Sequence, residues 1–202
     1  MMLSSRFSQA LVYAHELHQN QVRKGTSIPY ISHLMAVSAI ALEHGANEDQ
    51  AIAALLHDSL EDGPQYSGRS RSVIAQEIAT QFGAQVFNIV LNCTDTDGEG
   101  QKEDWWQRKK AYLQHLEAVD EAVLLVANAD KLHNAQCIWR DYQQLGETLW
   151  SRFTAGKGGT LWYYQSLAEL FNRRRPSPLA RDLQTVVHRL IDAATPNEQP
   201  IS

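Results

Sequence analysis

Apolar residues recur three and four positions apart along most of the chain, the spacing that gives an α-helix one buried face. Phe7, Ala10, Leu11, Ala14 and Leu17 make the first stripe. The same period runs through residues 34–42, 52–60, 73–82, 86–91, 112–116, 119–138, 161–171 and 183–191. Prolines stand at 29, 64, 176, 178, 196 and 200, so the long stretch between 64 and 176 lacks the residue that most disrupts a helix interior. Helix boundaries are legible too. Gly45 and Gly83 sit where a left-handed C-terminal glycine belongs, and Asn47 with Gln50 has the spacing of a capping box. No stretch alternates apolar and polar residues as a half-buried strand does, and no internal repeat is visible.

The pattern predicts an all-α fold of about nine or ten helices around one core. It is expected to form a single domain over residues 1–195, with a flexible tail over 196–202. Two segments, residues 63–71 (GPQYSGRSR) and 94–102 (TDTDGEGQK), are rich in turn formers and are expected as loops over a site.

Composition narrows the function. With 202 residues, 44% of them hydrophobic and 20% charged, the chain is neither disordered nor collagenous nor a disulfide scaffold. A net charge of −5 repels nucleic acid, so no nucleic-acid partner is expected. The short basic runs Arg108-Lys109-Lys110 and Arg173-Arg174-Arg175 read as solvated helix faces. Cys93 and Cys137, far apart and in no metal-like spacing, suit a reducing cytoplasm. The apolar runs at 51–56 and 122–127 are far shorter than the roughly 20 residues of a membrane span. A soluble cytoplasmic protein without a membrane partner is expected.

The densest chemistry is HDSLED, residues 57–62, directly behind the apolar run AIAALL. A helix so apolar runs into the interior, and an unpartnered carboxylate there costs several kcal/mol. Continued as one helix, His57, Glu61, Asp58 and Asp62 lie at about 0°, 40°, 100° and 140° and share one side. A solvated helix end accounts for Glu61 and Asp62, but not for His57-Asp58. The run AVLLVANAD repeats this logic by delivering Asp130, with KLHN then supplying His133 and Asn134. In PYISH, Pro29 marks a helix start and His33 lies in its first turn.

Two imidazoles, His33 and His57, and two carboxylates, Asp58 and Asp130, make a mixed nitrogen and oxygen set drawn from three helices. Such a set suits Mn²⁺, Fe²⁺, Co²⁺ or Zn²⁺ with positions left for water. Mg²⁺ or Ca²⁺ would prefer oxygen alone.

The pattern His33…His57-Asp58…Asp130 resembles the HD superfamily of metal-dependent phosphohydrolases. More closely, QVRKGTSIPYISH, AALLHDSLED, FGAQVFNIVLNCTD and LLVANADKLHN resemble, in order and spacing, the hydrolase domain of RelA/SpoT enzymes and the small alarmone hydrolases, over residues 5–140. The resemblance implies a Mn²⁺-dependent helical enzyme that removes the 3′-pyrophosphate of ppGpp or pppGpp, leaving GDP or GTP. It implies metal ligation by His33, His57, Asp58 and Asp130. Glu61 and Asp62 match an acidic pair beside the attacking water. Arg23 and Lys24 match a basic pair that meets the nucleotide, and Asn134 matches an asparagine that contacts it. Lys102, Arg108 and Lys109, beside the second loop, are candidates for the other phosphates.

The chain departs from the family at Gly63 and at Cys137, where threonine is usual, and it matches loosely beyond Tyr142. Trp150, Trp162, Tyr163 and Tyr164 read as core at helical spacing. The segment TAGKGG around Lys157 is not a phosphate-binding P-loop. With no room for a synthetase domain, hydrolysis without synthesis is expected. Two other readings stay open: an HD phosphohydrolase of another nucleotide (a 5′-nucleotide, a dNTP, the 2′-phosphate of NADPH, or pppApp), and a non-catalytic nucleotide-binding regulator.

Overall fold

Ser4, Asn47, Ser70, Asp104, Asp120 and Ser177 each start a helix by accepting a hydrogen bond from a backbone N–H two or three residues on. Asn47 and Gln50 form the full capping box, each side chain bonded to the other's backbone. The computed structural model describes residues 2–94 and 104–195. The expected loop at 94–102 beyond Thr94, Lys102 with it, and the expected tail at 196–202 lie outside them.

Among the described residues there are ten α-helices and no strand, so the all-α expectation holds. The helices are α1 (Ser5–His18), α2 (Ile31–Glu43), α3 (Glu48–Leu56), α4 (Gly63–Ser67), α5 (Arg71–Phe82), α6 (Ala84–Cys93), α7 (Trp105–Leu116), α8 (Glu121–Leu145), α9 (Gly156–Arg174) and α10 (Pro178–Ala194). A 3₁₀ turn, Gly146–Arg152, joins α8 to the last pair.

The centre is built from α3 and α8. All six residues from Ala51 to Leu56 are at most 1% exposed, and in α8 every residue from Val123 to Asp130 is buried. Helices this apolar on every side have neighbours all round. α3 packs on α1, α2, α6 and α8, while α8 also meets α2, α6, α9 and α10. Each fully buried leucine or isoleucine here contributes about 1.5–3 kcal/mol by leaving water. No helix among the described residues is long and apolar enough to cross a membrane.

Two expectations need correction. The helix carrying the apolar run ends at Leu56, so HDSLED does not lie on one helical face. The His57 ring Nδ1–H takes the Ala54 carbonyl at 2.9 Å, the acceptor that Asp58's amide would use in a continuing helix. Ser59 N–H then closes a tighter turn on Leu56 O, and the Glu61 and Asp62 amides both bond Asp58 O. The segment 63–71 is likewise not all loop, because Pro64 presets the first turn of α4 and Gly68, at φ +72°, ends it.

Candidate active site

Three segments converge on one buried spot. Pro29 and Tyr30 start α2, and the His33 amide bonds Tyr30 O at 2.9 Å, which fixes His33 in the first turn. The turn that follows α3 supplies His57 and Asp58, and the middle of α8 supplies Asp130. His33 Nε2 lies 3.2 Å from Asp130 Oδ1 and 3.6 Å from Asp58 Oδ2. His57 Nε2 lies 3.0 Å from Asp58 Oδ2 and 3.5 Å from Asp130 Oδ1. An ion held at about 2.1 Å keeps neighbouring donors roughly 3.0 Å apart at right angles and 3.4 Å apart in a tetrahedron. The four imidazole–carboxylate separations are of that order, and His33, His57 and Asp58 place their donor atoms within 4.8 Å of one another, with Asp130 reaching both imidazoles from the far side.

The surroundings aim the donors inward. Because His57 Nδ1–H is committed to Ala54 O, Nε2 turns to the carboxylates, and it is buried without an aligned hydrogen bond. A cation bound among these atoms would satisfy that nitrogen. Tyr30 OH donates to Asp58 Oδ2 at 2.6 Å, Asn134 Nδ2 donates to Asp130 Oδ1 at 2.6 Å, and Lys131 Nζ donates to Asp130 Oδ2 at 2.7 Å. Burial pushes both carboxyls upward, but His57 beside Asp58, and Lys131 with the two imidazoles beside Asp130, override it and hold both well below the usual carboxylate range.

A cavity of about 580 Å³ opens beside this centre. Its walls include Arg23, Lys24, Tyr30, Asp62, Asn134, Arg140 and Arg152. Arg23 and Lys24 sit in a tight turn: Arg23 N–H bonds Ile28 O, Thr26 N–H bonds Arg23 O, and Gly25 takes φ +74°. The positive φ calls for glycine, and a Cβ there would also stand 3.2 Å from Arg152 Cδ and press on that side chain. Arg23 donates to Asn134 Oδ1 at 2.8 Å and lies 5.9 Å over the Tyr30 ring.

Asp62 faces the cavity with Oδ2 bonded by Gln21 Nε2 at 2.7 Å, and Gln21 Oε1 in turn meets His18 Nδ1 at 2.6 Å. Burial, together with the Asp58 charge, raises the Asp62 carboxyl above its usual range.

The structure therefore brings His33, His57, Asp58 and Asp130 together, with Arg23, Lys24, Asn134 and Asp62 on the adjoining cavity. Glu61 is exposed on the turn beside Asp62 and is not a wall of the cavity. Arg108 stands on α7 and does not line the cavity either, while Lys109 lies 4.9 Å over the Tyr163 ring. Of the aromatics expected in the core, Trp150, Tyr163 and Tyr164 are buried, and Tyr164 is also a cavity wall. Sequence reasoning missed Gln21, Tyr30, Lys131, Arg140 and Arg152. Gln21, Tyr30 and Lys131 each lay inside a quoted motif; the two arginines carried no local signal.

The HD domain family model matches residues 10–161. Among curated relatives, the GTP pyrophosphokinase rsh of Brucella melitensis is 31% identical over 137 residues, covering 65% of this chain and 16% of the relative. The guanosine-3′,5′-bis(diphosphate) 3′-pyrophosphohydrolase of Aquifex aeolicus is 30% identical over 136 residues, covering 67% of this chain and 18% of the relative. The chain thus spans less than a fifth of the length of these relatives. In fold it is similar to a metazoan ortholog of SpoT that hydrolyzes ppGpp, with a TM-score of 0.74 at 24% identity over 94% of this chain and 98% of the other.

Proposed function

The chain belongs to the HD domain family, and on that premise we propose that it hydrolyses the 3′-diphosphate of ppGpp and pppGpp, releasing pyrophosphate and leaving GDP or GTP. The observation that carries this reading is the convergence of His33, His57, Asp58 and Asp130 beside a cavity walled by Arg23, Lys24 and Asn134. Relatives of that activity among the curated proteins support it.

His33, His57, Asp58 and Asp130 would hold a divalent ion, for which Mn²⁺ is our proposal. When bound, the ion would acidify a water molecule and offset charge on the phosphoryl oxygens. The protein's own groups do the rest. Asp62, with Oδ2 fixed by Gln21, has Oδ1 to take the proton of the attacking water, and its raised pKa makes it a better base than an ordinary aspartate. Glu61, one residue earlier on the same turn, is proposed to assist that transfer. The water oxygen bonds to the 3′ phosphorus, the P–O3′ bond breaks, and O3′ leaves with the proton that Asp62 took from the water. Arg23 can stack on the base while remaining tied to Asn134, and Lys24 can meet phosphate from the exposed rim.

Purified protein incubated with Mn²⁺ and ppGpp, pppGpp, pppApp, NADPH and dNMPs, with products identified, tests this directly. Pyrophosphate and GDP from ppGpp are expected. Orthophosphate alone, or turnover confined to NADPH or the dNMPs, would overturn it.

A further inference from the structure

His33 Nδ1 and His133 Nδ1 lie 2.7 Å apart, with ring centroids at 4.9 Å. Two imidazole nitrogens at that distance share one proton, so one ring donates and the other accepts. Of the two arrangements, only one leaves His33 Nε2 with a lone pair towards Asp58 and Asp130: His33 Nδ1–H donates and His133 Nδ1 accepts. The remaining His133 proton then sits on Nε2, which lies 3.7 Å from Cys137 Sγ. Arg140 NH2 approaches the same sulfur at 3.6 Å. The series runs in one direction, His33 donating to His133 and His133 to Cys137, whose sulfur also accepts from Arg140. The spacing follows from the helix, since His133, Cys137 and Arg140 stand four and three residues apart on one face of α8.

We propose that His133 is a positioning residue that holds His33 in the tautomer able to ligate the metal, with Cys137 Sγ accepting a hydrogen bond from the N–H this leaves on His133 Nε2. The proposal rests on the reading of His33 as a ligand. A ligand histidine whose outer nitrogen loses its partner rotates and ligates more weakly, commonly with a 10- to 100-fold loss of metal affinity.

Mn²⁺ binding, followed by the EPR signal of the free ion, separates the two levels. Wild type is expected to bind Mn²⁺. His133→Leu should bind it roughly 10- to 100-fold more weakly. His133→Asn, whose amide oxygen can occupy the place of Nδ1, should recover most of that loss. Equal affinity for wild type and a folded His133→Leu would overturn the role of His133. Absence of Mn²⁺ binding by wild type would overturn the metal reading beneath it. Because a leucine at this site can also unfold the chain, long-range ¹H–¹⁵N spectra of the wild-type histidines, recorded with Zn²⁺ bound, give a second answer. A proton on His33 Nδ1 and on His133 Nε2 is expected, and the opposite pair of tautomers would overturn the proposal.

Discussion

Arg23 is tied to Asp130, a proposed metal ligand, through Asn134: its NH2 donates to Asn134 Oδ1 at 2.8 Å, and the same amide donates to Asp130 Oδ1 at 2.6 Å. The guanidinium also lies over the Tyr30 ring, whose hydroxyl bonds Asp58. One arginine thus touches the outer partners of two proposed ligands without touching either ligand.

Arg23→Ala should therefore raise KM for ppGpp by about tenfold, the effect of roughly 1–2 kcal/mol of uniform binding, with kcat little changed. Asn134 keeps its bond to Asp130, so metal content should stay at the wild-type level. Arg23→Lys should not restore KM, since an ammonium cannot stack and bridge as the planar group does. Steady-state kinetics with metal analysis checks this, and an unaltered KM would reject the contact.

Asp58→Ala and Asp130→Ala should both abolish metal binding, yet differ in stability. Removing Asp130 strands Lys131, whose side chain is only 14% exposed and whose Nζ lies 2.7 Å from Asp130 Oδ2. An uncompensated buried charge of this kind costs about 3–5 kcal/mol. Asp58 is more exposed, and its loss leaves Tyr30 OH without its acceptor, a smaller penalty. Chemical denaturation should rank wild type, Asp58→Ala and Asp130→Ala in falling order; the reverse order for the two variants would contradict the role given to Lys131.

Asp62 carries a cost for stability. Its carboxyl is raised above the ordinary 3.8 by burial and by Asp58. A group that holds its proton more tightly folded than unfolded adds stability below the ordinary value, and that stability is lost as pH rises through the folded value. Above the folded value the loss is complete. Asp62→Asn should therefore melt higher than wild type at pH 7 while losing turnover by a factor of order 10² or more. In wild type, kcat/KM should climb with pH through a value above the usual carboxylate range. A variant that is both less stable and fully active would remove Asp62 from the proposed chemistry.

The legible part of this molecule was whatever a short stretch of chain determines. Residues 51–56 announce a buried helix, and a histidine and an acid directly after them announce buried polarity. Asn47 and Gln50 announce a cap, and they form one. The turn at 57–62 was not legible, because a side-chain nitrogen of His57 competes for a backbone carbonyl and ends the helix that periodicity would continue. Contacts between distant segments were hidden for a different reason. Gln21 reaches Asp62 across 41 residues and Tyr30 reaches Asp58 across 28, so nothing local marks either pair. The acidity of Asp62 follows from those contacts and was equally out of reach.

The last prediction concerns the folded state as a whole. The proposed ligands come from α2, the turn after α3 and the middle of α8, and these three helices pack directly on one another. An ion bound to all four residues has no matching site in the unfolded chain, so it stabilises the fold by RT ln(1 + [M]/Kd), about 2.7 kcal/mol at a hundredfold excess over Kd. For a chain of this size that corresponds to a rise in Tm of roughly 5–10 °C. Mn²⁺ should give this rise, a chelator should reverse it, and Asp58→Ala, which lacks one donor, should show little of it. Scanning calorimetry at several Mn²⁺ concentrations measures the effect. A wild-type Tm that does not respond to Mn²⁺, or an equal response in Asp58→Ala, would show that the ion does not bridge these three segments.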